Sequence, residues 1–196
     1  MGLLFLVDGA FGKSKSCLIA AVKATESSVF ITKSVTLDDP ANIGWIRNDL
    51  SPDLNYMEKD AFEEEISGGY HYQYSLEGIK YASPKDVIAK NITMVKSLFV
   101  TVRSIDRIKD IKRHFSSHKV ITVYIYIDDA SLKEQLFREG LDQKEIDFRL
   151  KRYYVARDQF AYQRDNFDHT IVYGNDFDSE FHAQIKWMIS KELRNA

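Results

Sequence analysis

The sequence predicts an α/β fold in which helices cover a central parallel β-sheet. Three observations support this prediction. An apolar run at residues 3–7 leads into a glycine-containing loop and a helical pattern, residues 120–127 are almost entirely apolar, and strand and helix patterns alternate along much of the chain. A continuous apolar run is typical of a strand covered on both faces of a parallel sheet. The alternation is typical of right-handed crossover connections.

The bulk properties are those of one globular domain. The chain has 196 residues, of which 44% are hydrophobic and 29% charged, and a net charge of −2. This charge gives no electrostatic reason to expect a nucleic-acid partner. Cys17 is the single cysteine, which excludes an intrachain disulfide or a multi-cysteine zinc site. No signal-peptide pattern is present, and no segment approaches the roughly 18 apolar residues of a membrane span. We therefore expect a cytoplasmic protein without a membrane partner.

The first part of the chain combines short elements with a long irregular segment. Helical spacing of apolar residues predicts a helix over 16–24, and β-branched and aromatic residues predict a strand over 27–33. Residues 34–55 contain two of the three prolines and many turn residues, which predicts irregular structure and an inserted lobe. An acidic helix is expected over 57–67, ending at Gly68.

The middle of the chain returns to alternating elements. Strand patterns are expected at 70–74 and 79–82. Ser83 suits a helix N-cap and Pro84 the first helical position, so a helix should begin there. The elements that follow are predicted from their apolar periodicity: strands at 97–102, 120–127 and 170–173, and helices at 104–114, 131–138, 142–160 and 177–193.

The segment Gly9-Ala10-Phe11-Gly12-Lys13-Ser14-Lys15-Ser16 has the layout of a phosphate-binding loop between a strand and a helix. Counted from Gly9 in the pattern G-x-x-x-x-G-K-[ST], Lys15 falls on the lysine that reaches the β- and γ-phosphates. Ser16 falls on the hydroxyl that ligates Mg²⁺. Gly12 would let the backbone approach the phosphates closely. Ser14 replaces the second glycine, which requires a negative φ at that residue.

Two alternatives to this interpretation exist. Counted instead from Gly12-Lys13-Ser14, the first glycine would have to be Val7. We prefer the register from Gly9, because that residue ends the strand where a turn is needed. The segment could also be an ordinary strand-to-helix turn with basic residues.

Several stretches, taken together, resemble the guanylate kinase superfamily of P-loop nucleotide kinases. Gly9, Gly12, Lys15 and Ser16 match the G-P-S-G-x-G-K-S loop of that family. The other matching stretches run in the family's order along the chain: Phe62–Ile66, Gly78–Ser83, Leu132–Leu136, Gly140, Glu145–Leu150 and Tyr173–Asp178. The spacing from Tyr74 to Ala82 is closer to the ribose 1,5-bisphosphate phosphokinase branch than to guanylate kinase itself.

The resemblance implies a three-layer P-loop kinase fold with an acceptor-binding lobe and a helical lid. The implied parts are a core of residues 1–33, 91–130 and 165–196, an acceptor lobe of residues 34–90, and a lid of residues 131–164. It also implies transfer of the γ-phosphoryl group of ATP, with Mg²⁺, to a small phosphorylated acceptor such as GMP or a ribose phosphate. Lys15 would then act in catalysis as well as in binding ATP.

The resemblance also assigns roles to residues of the lid and the nucleotide site. Arg149 takes the place of a lid arginine that clamps the transferring phosphoryl group. Arg138 is the candidate for the other lid arginine, and Arg152 shares a helix face with Arg149. Asn175 and Asp176 fall near the adenine of ATP. Backbone groups at Ser14 would belong to the phosphate cradle.

On the acceptor side, Tyr81 and Ser83 match positions that hold the acceptor's phosphate or base. Gln73 falls near a glutamate that recognises guanine. The family's phosphate-binding arginine is absent, and Lys33 stands near its place. Residues 99–104 contain none of the acids that usually end the third core strand. A catalytically impaired protein that binds a nucleotide or a protein partner on the same scaffold is therefore the alternative to an active kinase.

Overall fold

Two β-sheets organise the chain in this computed structural model, which describes residues 2–9, 12–37, 54–68, 71–76, 79–174 and 178–196. In these ranges the strands are β1 (Leu3–Asp8), β2 (Ser28–Phe30), β3 (Lys33–Leu37), β4 (Leu54–Tyr56), β5 (His71–Leu76), β6 (Ile79–Pro84), β7 (Ser97–Thr101), β8 (Val120–Ile127) and β9 (His169–Tyr173). The helices are α1 (Gly12–Lys23), α2 (Lys59–Ser67), α3 (Lys85–Met94), α4 (Ile105–His114), α5 (Asp129–Arg138), α6 (Gln143–Gln163) and α7 (Asp178–Arg194), with a short 3₁₀ helix over Arg164–Asn166.

The larger sheet is parallel throughout its described strands, which follow the order β2-β7-β1-β8-β9. β1 lies at its centre, where Val7 pairs with Thr101 of β7 and Asp8 pairs with Tyr124 of β8. This arrangement confirms the predicted α/β class. The carboxyl ends of β1, β7 and β8 meet at one edge of the sheet, beside the loop that leads into α1.

Side chains along β1 alternate between two separate cores. Leu3, Phe5 and Val7 pack in the cluster formed with α1, α5, α6 and α7, whereas Leu4 and Leu6 pack in the cluster formed with α3 and α4. A strand buried on both faces needs apolar residues at consecutive positions, which explains the continuous apolar run. Helices, sheet and helices therefore form the three layers that were predicted. Within the described ranges, no helix combines the length and apolarity needed to cross a bilayer.

The smaller sheet has the order β4-β3-β6-β5 and lies in sequence between β2 and β7. Helix α2 covers one of its faces, where Ser34 donates a hydrogen bond to Glu65 at 2.6 Å and Lys80 pairs with Glu63 at 2.9 Å. The opposite face carries stacked tyrosine rings, described below with the site. This sheet spans residues 33–84, whereas α3 packs its buried isoleucines against the central sheet.

Some element boundaries differ from those predicted. The predicted strand over 27–33 is divided between the two sheets, since Ile31 still donates its N–H to Phe99 of β7 at 2.8 Å and β3 begins at Lys33. Residues 34–37 and 54–55 are strand rather than irregular, because they pair with β6 and β3, and residues 38–53 of that predicted irregular segment lie outside the described ranges. Pro84 occupies the N-cap position of α3 and is the last residue of β6. The prediction of Ser83 as the N-cap was therefore wrong by one residue.

The C-terminal helix is attached to the sheet by an ion-pair network at Glu192. Its carboxylate accepts from Lys119 Nζ at 3.0 Å and lies 2.8 Å from His169 Nε2. Lys119 precedes β8 and His169 begins β9, so one carboxylate connects α7 to the amino ends of two strands. Burial raises the pKa of Glu192, but the bonds to Lys119 and His169 outweigh this effect and hold the pKa below its ordinary value of 4.5.

We predict that Glu192→Gln lowers the free energy of unfolding at pH 7 by about 1–3 kcal/mol, because charge-assisted hydrogen bonds are lost. The variant should also lose less stability than the parent on acidification. The unfolded chain protonates Glu192 near pH 4.5 while the folded chain does so at a lower pH, so this contribution disappears as the pH falls through that window. Urea unfolding at pH 7, 4.5 and 3.5 measures both effects. Glu180→Gln, at an exposed position of the same helix, is the control; equal acid dependence in both variants would contradict the prediction.

Candidate active site

The turn after β1 requires glycine at residue 9. Gly9 has φ +77°, a conformation that side chains on L-residues rarely adopt. A Cβ at this position would lie 2.4 Å from the backbone oxygen of Ile125 and 2.8 Å from the ring of Tyr124. The Gly9 N–H donates to Asp8 Oδ1 at 2.7 Å. Residues 10 and 11 lie outside the described ranges, and α1 begins at Gly12.

The two lysines of this segment have different environments. Lys15 is 6% exposed and lines a cleft, whereas the Lys13 side chain is 47% exposed and pairs with Asp178 of α7 at 3.1 Å. Two helix residues that are two positions apart are rotated by about 200° about the helix axis, so their side chains point to nearly opposite sides. The register counted from Gly9, which uses Lys15, therefore agrees with the geometry.

Asp178 also anchors the buried end of this first helix. Tyr173 donates a hydrogen bond to its carboxylate at 2.8 Å, and the Cys17 thiol lies 3.7 Å from the same tyrosine hydroxyl. Burial raises the pKa of Cys17, so the thiol is a packed apolar group rather than a reactive one. Because Asp178 neutralises Lys13, the network fixes α1 against α7 and β9 with Lys13 outside the cleft.

The absent second glycine of the loop causes no strain. Ser14 lies within α1 and is fully buried, and Ser27 is the sole non-glycine residue with positive φ in the described ranges. Serine therefore fits at this position, and its backbone belongs to the first turn of the helix. Ser16 follows Lys15 and is exposed.

Five cationic side chains line one cleft at the carboxyl edge of the central sheet. They come from α1, β3, the segment after β7, and α6: Lys15, Lys33, Arg103, Arg149 and Arg152. We call this the cation cleft. Its uncharged walls are formed by Leu54, Tyr81, Thr101, Leu132 and Leu136. The structure thus brings together the predicted residues Lys15, Lys33, Tyr81 and Arg149, together with Arg152.

Lys33 is held in place by the tyrosines of the smaller sheet. It is 2% exposed and donates a hydrogen bond to the Tyr74 hydroxyl at 3.1 Å. The rings of Tyr74 and Tyr81 stack at 4.7 Å, and the ammonium lies 5.7 Å and 5.5 Å from their centroids. Attraction to the two ring faces offsets part of the desolvation cost of the buried charge and fixes where that charge is placed.

Arg149 enters the cleft from α6 while paired with acids. Its guanidinium lies 2.8 Å from Glu145 and 3.9 Å from Glu139, and its side chain is 16% exposed. Helices α5 and α6 are joined by Arg157, which makes two hydrogen bonds to Asp129 at 2.9 and 3.1 Å. The α5–α6 pair therefore forms one wall of the cleft, and this wall provides both Arg149 and the acids that pair with it.

Other predicted site residues lie elsewhere. Arg138 is 59% exposed, pairs with Glu134 and does not line the cation cleft. Gln73 alternates with Tyr74 along β5, so it points to the opposite face of the smaller sheet, towards α2. There it lines a separate pocket with Glu63 and Lys80. Ser83 is buried on the same face as Tyr81. Asn175 and Asp176 lie outside the described residues.

Sequence reasoning missed two charged residues of this edge. Arg103 was noted only as part of a segment without acids, although a residue two positions beyond a parallel strand lies where ligands bind in such sheets. Asp8 ends β1 directly before Gly9 and lines a second cavity next to the cation cleft. Desolvation raises the pKa of Asp8, and the charges of Arg103 and Lys33 oppose this effect. Its position at the end of the first strand could have indicated its place in the site.

Comparison with known proteins supports the fold. No family model matches the sequence, and no curated protein does. A guanylate kinase from Anaplasma phagocytophilum is similar in structure, with a TM-score of 0.58 and 16% identity over 98% of this chain and 86% of that one. The chain therefore has the fold of a P-loop kinase.

Two other kinases align with lower scores. A gluconokinase from Sinorhizobium meliloti 1021 has a TM-score of 0.49 and 12% identity, over 99% of this chain and 94% of that one. A dephospho-CoA kinase from Campylobacter jejuni has a TM-score of 0.35 and 12% identity, over 98% of both chains.

We predict that Gly9→Ala lowers the free energy of unfolding by about 2–4 kcal/mol, since it adds both a strained φ and a clash with backbone. Urea unfolding at pH 7 measures the loss. Gly140→Ala is the matched control, because Gly140 also has positive φ but a Cβ there meets no atom within 4 Å. Equal losses in the two variants would show that the close approach to Ile125 has no energetic effect.

We also predict that Lys15→Ala weakens the binding of inorganic tripolyphosphate by about 10–100-fold, the range expected for one charge-assisted hydrogen bond. Lys13→Ala, which removes the same charge two residues away, should change the affinity less than threefold. Isothermal titration calorimetry measures both. A larger loss with Lys13→Ala would favour the alternative register of the loop.

Proposed function

We propose that this protein transfers the γ-phosphoryl group of ATP to a small phosphorylated acceptor, either a nucleoside monophosphate such as GMP or a ribose phosphate. We further propose that it is a divergent member of the guanylate kinase superfamily. The observation that supports this function is the cation cleft, in which positive charges from the loop helix, the smaller sheet, the end of β7 and the α5–α6 pair converge.

The distribution of these charges suits transfer between two anions. Phosphoryl transfer needs little covalent help from the protein; it needs donor and acceptor in line, and neutralisation of the charge on the transferring group. Lys15 faces the donor side, and Lys33 and Tyr81 face the acceptor side. Arg149 and Arg152, both on α6, would act on the transferring group as lid arginines. A site that only holds one nucleotide needs fewer cations and no second anchoring element.

The residues of α1 also fit an ATP–Mg²⁺ complex. Gly9 and the first turn of α1 provide the close backbone approach and the helix N-terminus that favour phosphate. The exposed Ser16 hydroxyl, next to buried Lys15, provides an oxygen donor of the kind that Mg²⁺ prefers. When bound, Mg²⁺ would neutralise charge on the β- and γ-phosphates. Within the described ranges no group of three His, Cys, Asp or Glu side chains forms a metal cluster of its own.

In this proposal, each part of the fold has a separate role. Residues 34–90 form the acceptor lobe, residues 131–164 the lid, and the remaining residues the core. In this division the lobe contributes Tyr81 and Leu54 to the cleft and the lid contributes Arg149 and Arg152. Lys33 lies at the boundary between core and lobe.

A catalytically impaired scaffold is the second candidate function. Two observations favour it: the segment after β7 carries Arg103 where the family has acids, and Arg149 is paired with Glu145 and Glu139. In such a protein the cleft would bind a nucleotide without transferring phosphate, or the surface would bind a protein partner.

Thermal unfolding with Mg²⁺ and ATP, followed by acceptors, separates these candidates. A ligand that binds only the folded state adds about 2.7 kcal/mol of stability at a hundredfold excess over Kd. For a kinase we expect a shift with Mg²⁺–ATP, a further shift with one acceptor, and formation of ADP that depends on that acceptor. A shift without acceptor-dependent ADP would favour the scaffold. No shift with any nucleotide would overturn both nucleotide-binding proposals and leave the protein partner.

We predict that Arg149→Met lowers kcat by about 10²–10³-fold, the loss typical of one group that stabilises transition-state charge. Arg138→Met should leave kcat within twofold, because that side chain pairs with Glu134 outside the cleft. Steady-state ADP formation with a saturating acceptor measures both variants. A large effect at Arg138 together with a small one at Arg149 would contradict the placement of the lid arginine.

A further inference from the structure

The structure has a second cavity that the proposed function does not use. It lies beside the cation cleft and shares Arg103 and Arg152 with it. Its remaining polar lining comes from the end of β1, β8, the residue before α4 and the second half of α6: Asp8, Tyr124, Ser104, Gln159 and Gln163. We call this the Asp8 cavity. A ligand that extends from one space into the other would pass Arg103 and Arg152, which line both.

The lining of the Asp8 cavity has the chemistry of a site for hydroxyl groups. Carboxylate, amide and hydroxyl side chains can each accept or donate to an alcohol. The apolar side of the cavity is rigid, because the Tyr124 and Phe160 rings stack at 3.7 Å and Phe167 packs at 5.3 Å from Tyr124. A small polyol presents both hydroxyl groups and C–H faces, so it matches both the polar and the apolar side of this lining.

Asp8 is placed to act on a reacting hydroxyl. One carboxylate oxygen accepts from the Gly9 N–H at 2.7 Å, so Asp8 is fixed at the residue that opens the phosphate loop. The positive charges of Arg103 and Lys33 act on it, while desolvation raises the pKa of Asp8. A carboxylate whose proton affinity is increased in this way is a better general base near neutral pH.

We infer that the acceptor is a sugar phosphate whose nucleophile is a hydroxyl group, and that Asp8 accepts the proton of that hydroxyl. This inference rests on the proposed kinase function and specifies its acceptor. The acceptor's own phosphate lies in the cation cleft against Lys33, Arg103 and Arg152, and its hydroxyl groups extend into the Asp8 cavity. A phosphate oxygen of a nucleoside monophosphate is already ionised at neutral pH and needs no base, whereas an alcohol must lose its proton, which a carboxylate with a raised pKa can accept.

The proposed step transfers the γ-phosphoryl group of ATP to a hydroxyl oxygen of the acceptor. The hydroxyl oxygen forms a bond to the γ-phosphorus as the bond between that phosphorus and the bridging oxygen of ADP breaks. The hydroxyl proton passes to the Asp8 carboxylate and is then released to water. The products are a phosphate monoester of the sugar phosphate, ADP and one proton.

The test compares Asp8→Asn with the parent and with Asp106→Asn, a matched change at an exposed position of α4. Asparagine retains an oxygen that can accept from the Gly9 N–H, so the loop contact is preserved. The probes are ribose 5-phosphate, glucose 6-phosphate, glycerol 3-phosphate and GMP, each with Mg²⁺–ATP. Phosphorus NMR distinguishes a new monoester from an anhydride such as GDP, and calorimetry measures Mg²⁺–ATP binding.

We expect the parent to form a monoester with at least one sugar or polyol phosphate. Asp8→Asn should reduce its rate by about 10²–10⁴-fold, with ATP affinity changed less than threefold and Asp106→Asn fully active. The melting temperature of Asp8→Asn should equal or exceed that of the parent, because desolvation raises the pKa of Asp8 and its charged form therefore opposes folding. A purely structural role for Asp8 would lower it instead.

A second variant tests the cavity independently of the base. Gln163→Leu should raise KM for the sugar phosphate about tenfold and leave kcat within threefold. Anhydride formation from GMP with undiminished activity in Asp8→Asn would overturn the inference while the kinase proposal stands. Absence of a monoester from all three hydroxyl probes, with Mg²⁺–ATP bound, would also overturn it. Absence of ATP binding would refute the proposed function itself.

Discussion

Repulsion among the cations at the carboxyl edge of the central sheet is the constraint on which the site depends. Five basic side chains converge there, and like charges at close range oppose folding unless other groups offset them. The chain offsets them locally: Glu145 and Glu139 pair with Arg149, and two tyrosine rings and a hydroxyl hold Lys33. The fold can therefore keep a strongly anion-attracting cleft while its net charge is only −2.

The overall architecture could be predicted because each element carries its own periodic signal. The apolar run of β8 and the buried face of α7, formed by Phe181, Ile185, Met188 and Ile189, are as predicted. Lys15 could be chosen over Lys13 from spacing alone, since Gly9 fixes where the turn lies. These inferences depend on contacts within a few residues, which a sequence records directly.

The missed parts of the site depend on tertiary placement. Side chains alternate between the two faces of a strand. Gln73, one residue before Tyr74, therefore points to the opposite face of the smaller sheet and away from the cleft. Arg138 lies on α5 and Arg152 on α6, and which of them enters the cleft depends on how α5 packs against α6. Arg103 and Asp8 lie almost a hundred residues apart and meet because β1 and β7 are neighbours.

The smaller sheet begins and ends beside the same pair of strands. β2 and β7 are hydrogen-bonded neighbours, with Ser28 paired with Ser97, and the segment 33–84 leaves from one and returns through α3 to the other. Such an insertion can be exchanged as one unit. The exchange would remove the cleft residues Lys33, Leu54 and Tyr81. The other cations of the cleft lie on elements of the remaining fold: Lys15, Arg103, Arg149 and Arg152. If the proposed function holds, the residues that recognise the acceptor and those that bind ATP lie on separable parts of the chain and can change independently.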